Sequence, residues 1–135
     1  MDDIKDFFTR DHFAEHVGIE LLEISEGTAT ARMDVEEFHL NGVRTVQGGA
    51  IFTLADLTFA AASNSHGTVA VAINANISFV KATTSGTLYA EAKETSVNHR
   101  IGTYTVTITN SQGDTVAIFE GMAYRKKQSI HEIID

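Results

Sequence analysis

Residues 48–63 read Gly48-Gly49-Ala50-Ile51-Phe52-Thr53-Leu54-Ala55-Asp56-Leu57-Thr58-Phe59-Ala60-Ala61-Ala62-Ser63, and this stretch decides the fold. Its Ala and Leu content favours a helix. Apolar side chains recur on every face of that helix, which predicts an element buried all round. It falls short of the ~20 apolar residues that a membrane span needs, so it reads as core. The flanking sequence must then supply its cover.

That cover reads as strands. Upstream, Gly18 opens a hairpin with strands over residues 19–24 and 28–34 and a turn at Glu26-Gly27. Downstream, residues 68–74, 77–81, 86–97, 101–110 and 115–126 are rich in Val, Ile, Thr and Ala. In Tyr104-Thr105-Val106-Thr107-Ile108-Thr109 apolar residues and threonines alternate, as in a strand with one face on a core and the other toward water. Residues 2–10 predict a short acidic helix and 11–16 a second short turn, while 36–47 form a polar connection. The expected class is α+β, an antiparallel sheet curled around one buried helix. A single domain is expected over 1–135: an N-terminal helical segment over about 2–16, a core over about 18–126 and a tail at 127–135.

Composition narrows the function. The 135 residues carry 10 Lys+Arg against 18 Asp+Glu, a formal net charge of −8, and no Cys. Without Cys there are no disulfides, thiolate metal sites or cysteine nucleophile. The acidic balance argues against nucleic acid, whose phosphates call for clustered Lys and Arg. No apolar run suits a membrane span, and the start Met1-Asp2-Asp3-Ile4-Lys5-Asp6 lacks the basic and apolar regions of a secretory signal, so a cytoplasmic location is expected. Residues 1–60 hold 12 acidic and 4 basic residues, whereas 61–135 hold 6 of each, so the second half can carry a locally positive face.

Asp56 is the only ionisable residue between Arg44 and His66. A carboxylate in so apolar a helix is costly unless it is paired, hydrogen-bonded or beside a cleft. It is either a structural Asp bonded to Ser, Thr or backbone, or a catalytic carboxylate. Gly48-Gly49 opens the helix, where backbone N–H groups and the dipole can polarise a carbonyl; the plain alternative is a tight turn. Gly48 lies eight residues before Asp56, roughly 12 Å along a helix axis, so one copy does not bring both to one small carbonyl. Asn41-Gly42 is foremost a turn signal, though a side-chain amide there could also orient water. His39 reads as a solvated loop histidine or a base. The histidines show no metal-binding spacing.

Taken together, His39-Leu40-Asn41-Gly42, Gln47-Gly48-Gly49, Leu54-Ala55-Asp56 and Ala60-Ala61-Ala62-Ser63-Asn64-Ser65 resemble the hotdog-fold acyl-CoA thioesterases. The branch they resemble is the phenylacetate-degradation type, within the group containing 4-hydroxybenzoyl-CoA thioesterases. The likeness runs over about residues 18–124 and includes Gly86-x-Leu88, His99-Arg100-x-Gly102 and Val116-Ala117-x-Phe119. It implies a hotdog fold, with a long helix wrapped by an antiparallel sheet. It also implies a homodimer that forms the active site, and a homotetramer beyond it.

By the same resemblance Asp56 is the nucleophile or general base. Gly48, with Gly49 beside it, polarises the thioester carbonyl, and Asn41 positions the attacking species. Gly48 and Asp56 would come from different chains. Gln47, His39, Asn74, Phe79, Lys81 and Arg100 are the implied substrate contacts. Lys93, Arg125, Lys126 and Lys127 are further candidates for the phosphates of CoA, and Phe38, Phe52, Phe59 and Phe79 for the acyl site. No metal or cofactor is implied, since CoA belongs to the substrate. Three positions depart from the family pattern. Gln47 stands where His is usual, Asn74 where some relatives carry Ser or Thr, and Lys81-Ala82 where Arg/Lys-Pro is common. The alternatives are a non-catalytic acyl-CoA-binding module and a hotdog dehydratase or hydratase, which pairs a His with an acid.

Overall fold

The computed structural model describes residues 1–134. Two short helices, α1 (Asp2–Phe8) and α2 (His12–Val17), precede the hairpin of β1 (Ile19–Ser25) and β2 (Thr28–Asp34). A 3₁₀ turn at Glu37–His39 leads into α3 (Gly48–Ser63). Then follow β3 (Thr68–Phe79), β4 (Thr87–Val97), β5 (Ile101–Thr109), β6 (Thr115–Ser129) and a last turn of helix, α4 (His131–Ile134). All strand pairs are antiparallel, in the order β1-β2-β4-β5-β6-β3. A six-stranded sheet packed around one central helix is the hotdog architecture.

The sheet can hold α3 closely because its inner face alternates small and large side chains. Ala29, Ala31, Ala90, Ala92, Ala117 and Ala123 leave room for the helix, while Met33, Leu88, Val106, Ile108 and Phe119 fill the spaces between; all are buried. Gly121 serves the same packing: a Cβ there would lie 2.7 Å from Phe59 and 2.9 Å from Phe119. Buried Thr58 satisfies its hydroxyl by donating to the Leu54 carbonyl at 2.7 Å. Asn64 ends α3 and ties it to β3, donating to the Ala60 carbonyl and accepting from the Ala70 N–H.

Three expectations are corrected. The helix is not buried all round: Gly49, Phe52, Thr53, Asp56 and Ala60, spaced three and four apart, form a stripe that is only partly covered. One sheet covers one side of a cylinder, and α1 and α2 cover only part of the rest. The segments 68–74 and 77–81 form one 12-residue strand, β3, with a bulge between Ala72 and Asn74. This strand lies at the sheet's edge and exposes Val71, Ile73 and Phe79. The core also continues past residue 126, because β6 runs to Ser129 and Ile130 is buried. Asp135, the end of the expected tail, lies outside the described residues. Among the described residues no helix is long and apolar enough to cross a membrane.

Candidate active site

Gln47 caps α3. Its Oε1 accepts the Gly49 N–H at 2.7 Å, and its own N–H donates to the His39 carbonyl at 2.8 Å. The Gly48 N–H has no acceptor among the described residues and remains an outward donor at the positive end of the helix. The two glycines therefore differ: Gly48 offers its N–H, and Gly49 has given its own to the cap. Phe79, at the end of β3, lies over Gly48 so closely that a Cβ would stand 3.0 Å from its Cζ.

Asp56 sits two turns further along α3, on the partly covered stripe. Among the described residues its carboxylate makes no hydrogen bond or ion pair, so the bonded, structural arrangement is not formed. Burial pushes its carboxyl above the ordinary carboxylate range, and the charge of nearby Asp11, the N-cap of α2, adds to the rise.

Asn41 organises the loop before α3. Its Oδ1 accepts from the Val43 and Thr45 N–H groups at 3.0 and 3.1 Å, and its Nδ2 donates to the Thr45 hydroxyl at 3.0 Å. The turn is thus real, and the amide keeps a second N–H beyond the one given to Thr45. Arg44 adopts φ 68° inside this turn, with its guanidinium held by Glu37 at 2.6 and 3.0 Å. His39 is neither solvated nor a free base: it is 3% exposed, its Nδ1 accepts from the Glu36 N–H, and its Nε2 meets the Val17 carbonyl at 2.5 Å. With both ring nitrogens engaged, His39 is a brace.

The chain matches the thioesterase superfamily over residues 44–117. It belongs to that superfamily. Acyl-coenzyme A thioesterase PaaI of Escherichia coli is 38% identical over 119 residues, which cover 87% of this chain and 85% of the relative. A protein of Archaeoglobus fulgidus is 41% identical over 124 residues, 90% of this chain and 80% of its own. The solved structure of the E. coli PaaI protein, from the phenylacetic acid degradation operon, superposes with a TM-score of 0.90 at 35% identity, covering 95% of this chain and 94% of that one.

Within this thioesterase fold the remaining candidates do not gather at one place in a single chain. Asn74 pairs with Met122, and the alternation of the strands puts it on the outer face of the sheet, away from α3. Phe79 and Lys81 lie beside the α3 N-terminus, and Lys81 is tied to Asp114 at 2.7 Å. Arg100 lies at the other end of the sheet, where its carbonyl accepts the Arg125 N–H. Lys93 pairs with Glu91, and Arg125 donates to the Asn98 carbonyl; among the described residues Arg100, Lys126 and Lys127 form no salt bridge. Phe59 belongs to the core, stacked against Tyr104 and Phe119, and Phe52 packs edge-on to Phe119.

A cleft of about 640 Å³ joins Asn41, Gln47 and Gly49 to Phe13 on α2 and Phe38 on the 3₁₀ turn. The sequence marked Phe38, but nothing in it singled out Phe13. The only trace is that Phe13, His16 and Val17 share one helical face.

Proposed function

We propose that this thioester hydrolase cleaves acyl-CoA to a free carboxylic acid and CoA-SH, with Asp56 as the carboxylate that attacks the thioester carbon or deprotonates the attacking water. The observation that carries the proposal is the Asp56 carboxylate itself: partly covered, without a partner among the described residues, and raised in pKa by burial. A carboxylate held in this way is a stronger base than an ordinary one, and the protein gains no ion pair in return for holding it. The likeness to an acyl-coenzyme A thioesterase points to CoA as the thiol portion.

The Gly48 N–H polarises the carbonyl and holds the oxyanion as the carbon becomes tetrahedral. The second Nδ2 hydrogen of Asn41 donates to the attacking water. As the intermediate collapses, the C–S bond breaks and CoA leaves as a thiolate that takes up a proton. In the water route Asp56 gives the proton it accepted to solvent or to this thiolate. In the direct route water then hydrolyses the acyl–Asp56 anhydride to free the acid and the carboxylate. No strong acid is needed for that departure, so one carboxylate and one oxyanion donor suffice. No resident metal or cofactor enters the proposal.

The site is assembled from two copies. Gly48 and Asp56 are separated by about 12 Å along α3. The Phe79 end and the Arg100 end of the sheet are eight residue steps apart along β6, roughly 26 Å. Pairing the exposed β3 edges of two copies antiparallel brings opposite ends together, so that Asp56 and Arg100 of one protomer approach Gly48 and Lys81 of its partner. Tyr89, Ile118, Met122 and Tyr124 are exposed on the outer sheet face and support a further pairing of dimers into a tetramer. The test is thiol release from a panel of aryl-, short-, medium- and long-chain acyl-CoAs, with Asp56→Ala alongside. Release by the wild type that is lost in the variant is the expected result. No release from any member, or equal release by the variant, overturns the proposal.

A further inference from the structure

The cleft beside the α3 N-terminus has a floor and two walls of different origin. Gly49, Ala50 and Thr53 of α3 form the floor, α2 supplies Phe13, and the 3₁₀ turn supplies Phe38. Both rings stand out from the surface, 66% and 65% exposed, and offer apolar faces to a bound group. The walls are joined through His39. Its ring stacks on Phe38 with centroids 4.2 Å apart, its Nε2 meets the carbonyl of Val17 at the end of α2, and its Nδ1 holds the Glu36 N–H. One buried side chain thus fixes the spacing of both walls. The wall residues Phe13 and Phe38 and the brace His39 precede the span matched by the superfamily, residues 44–117, whereas the floor lies within it.

The cleft's chemistry selects among the parts of an acyl-CoA. No Lys or Arg lines it among the described residues, which disfavours the phosphates. Phe13, Val17, Phe38 and Leu40 make the walls largely apolar. Of the cleft's polar side chains, His16 and His39 lie on the walls, Thr53 on the floor, and the amides of Asn41 and Gln47 at the end where Gln47 and Gly49 flank Gly48 in the chain. Gly48 itself lines the neighbouring cleft with Phe79 and Lys81, so a carbonyl held at its N–H has the Phe13–Phe38 cleft beside it, across Gln47 and Gly49, to receive its acyl substituent. Resting on the acyl-CoA reading above, we infer that Phe13 and Phe38 are the residues that set acyl-chain preference, with His39 as the positioning residue that keeps them apart. They favour acyl groups long or broad enough to touch both rings over acetyl.

The experiment measures kcat/KM for hexanoyl- and acetyl-CoA, and inhibition by free CoA, for the wild type, Phe13→Ala, Phe38→Ala, Phe13→Leu and His39→Gln. Each alanine variant lowers the hexanoyl-to-acetyl ratio by roughly 10-fold or more, the range expected when an apolar pocket loses contact with its substrate. Phe13→Leu recovers much of that ratio. His39→Gln raises KM for hexanoyl-CoA more than for acetyl-CoA, a split that mere loss of stability does not produce.

Ratios that stay at the wild-type value overturn the inference. So does inhibition by free CoA that weakens as much as the ratio falls, which places the rings on the pantetheine arm. Uniform loss with a fall in oligomeric mass by light scattering identifies the rings as a contact between copies, and also overturns it. A wild type that releases no thiol from any acyl-CoA overturns the acyl-CoA reading itself, whereas active variants with unaltered ratios overturn this inference alone.

Discussion

Asp56 carries both the proposed chemistry and a cost. Its folded pKa lies above its unfolded one, so the folded state binds this proton more tightly and stability falls as pH rises through the folded value. At neutral pH the ionised carboxylate works against folding. Asp56→Asn is therefore expected to raise the melting temperature at pH 7, by an amount that shrinks as pH falls through the folded value and vanishes below the unfolded carboxylate pKa. The same variant should lose about 10²–10⁴ in turnover while still binding ligand. Scanning calorimetry across pH, run beside the thiol-release assay, checks both halves. The acid limb of the wild-type rate profile should also lie above the ordinary carboxylate range.

Gly121 makes a second prediction at this scale. Gly121→Ala drives a methyl into Phe59 and Phe119, two buried rings with no room to retreat, and should cost about 1–3 kcal/mol in denaturant unfolding. Asp56 was legible in the sequence because it alone is charged between Arg44 and His66. The role of His39 was not, because its partners Val17 and Glu36 reach it only through the folded arrangement of α2 and the loop.

The elements show the same division. Local pattern was enough to read α3, the first hairpin and the last three strands. It could not show that a stripe of α3 stays partly covered, since that depends on how much of the helix one sheet can reach. Nor did it show β3 as one strand: Ala75-Asn76 read as a break, but the strand runs straight through them, with Asn76 facing outward from the sheet.

The far end of α3 is held by a polar cluster that the sequence did not suggest. Glu94 on β4 accepts from the Tyr104 hydroxyl at 2.8 Å and contacts His66 Nε2 at 2.6 Å, joining the end of α3 to two strands. Burial pushes the Glu94 carboxyl up. The hydrogen bonds from His66 and Tyr104 and the charges of His66 and Arg125 outweigh it, so the net shift is downward. Burial, with the Glu94 bond and charge, pushes the Tyr104 phenol up. A lowered carboxylate stabilises the fold above its unfolded pKa, and that contribution is lost as pH falls through the folded value. Glu94→Gln should lower the melting temperature at pH 7, and the gap from wild type should narrow below about pH 4. A gap that stays constant with pH would contradict this account of the cluster.

At the scale of the whole molecule, one chain holds every proposed group but does not bring them together. Gly48 and Asp56 share a helix that separates them, and the sheet leaves its longest apolar edge, β3, open. The proposed edge-paired dimer draws on the resemblance, because no local pattern encodes what a second copy contributes.

The most direct test is subunit complementation. Gly48→Pro removes the proposed oxyanion donor while suiting the backbone of the first helical position, where Gln47 already has ψ 133°, and the exposed Phe79 ring has room to give way to the added Cβ. Alone, Gly48→Pro and Asp56→Asn should each be nearly inactive. Co-expressed in equal amounts, they should recover about a quarter of the wild-type thiol-release rate, since half the dimers are mixed and each mixed dimer holds one intact site. Recovery near that value is the predicted result, and a mixture no more active than its two parents would contradict a site shared between chains.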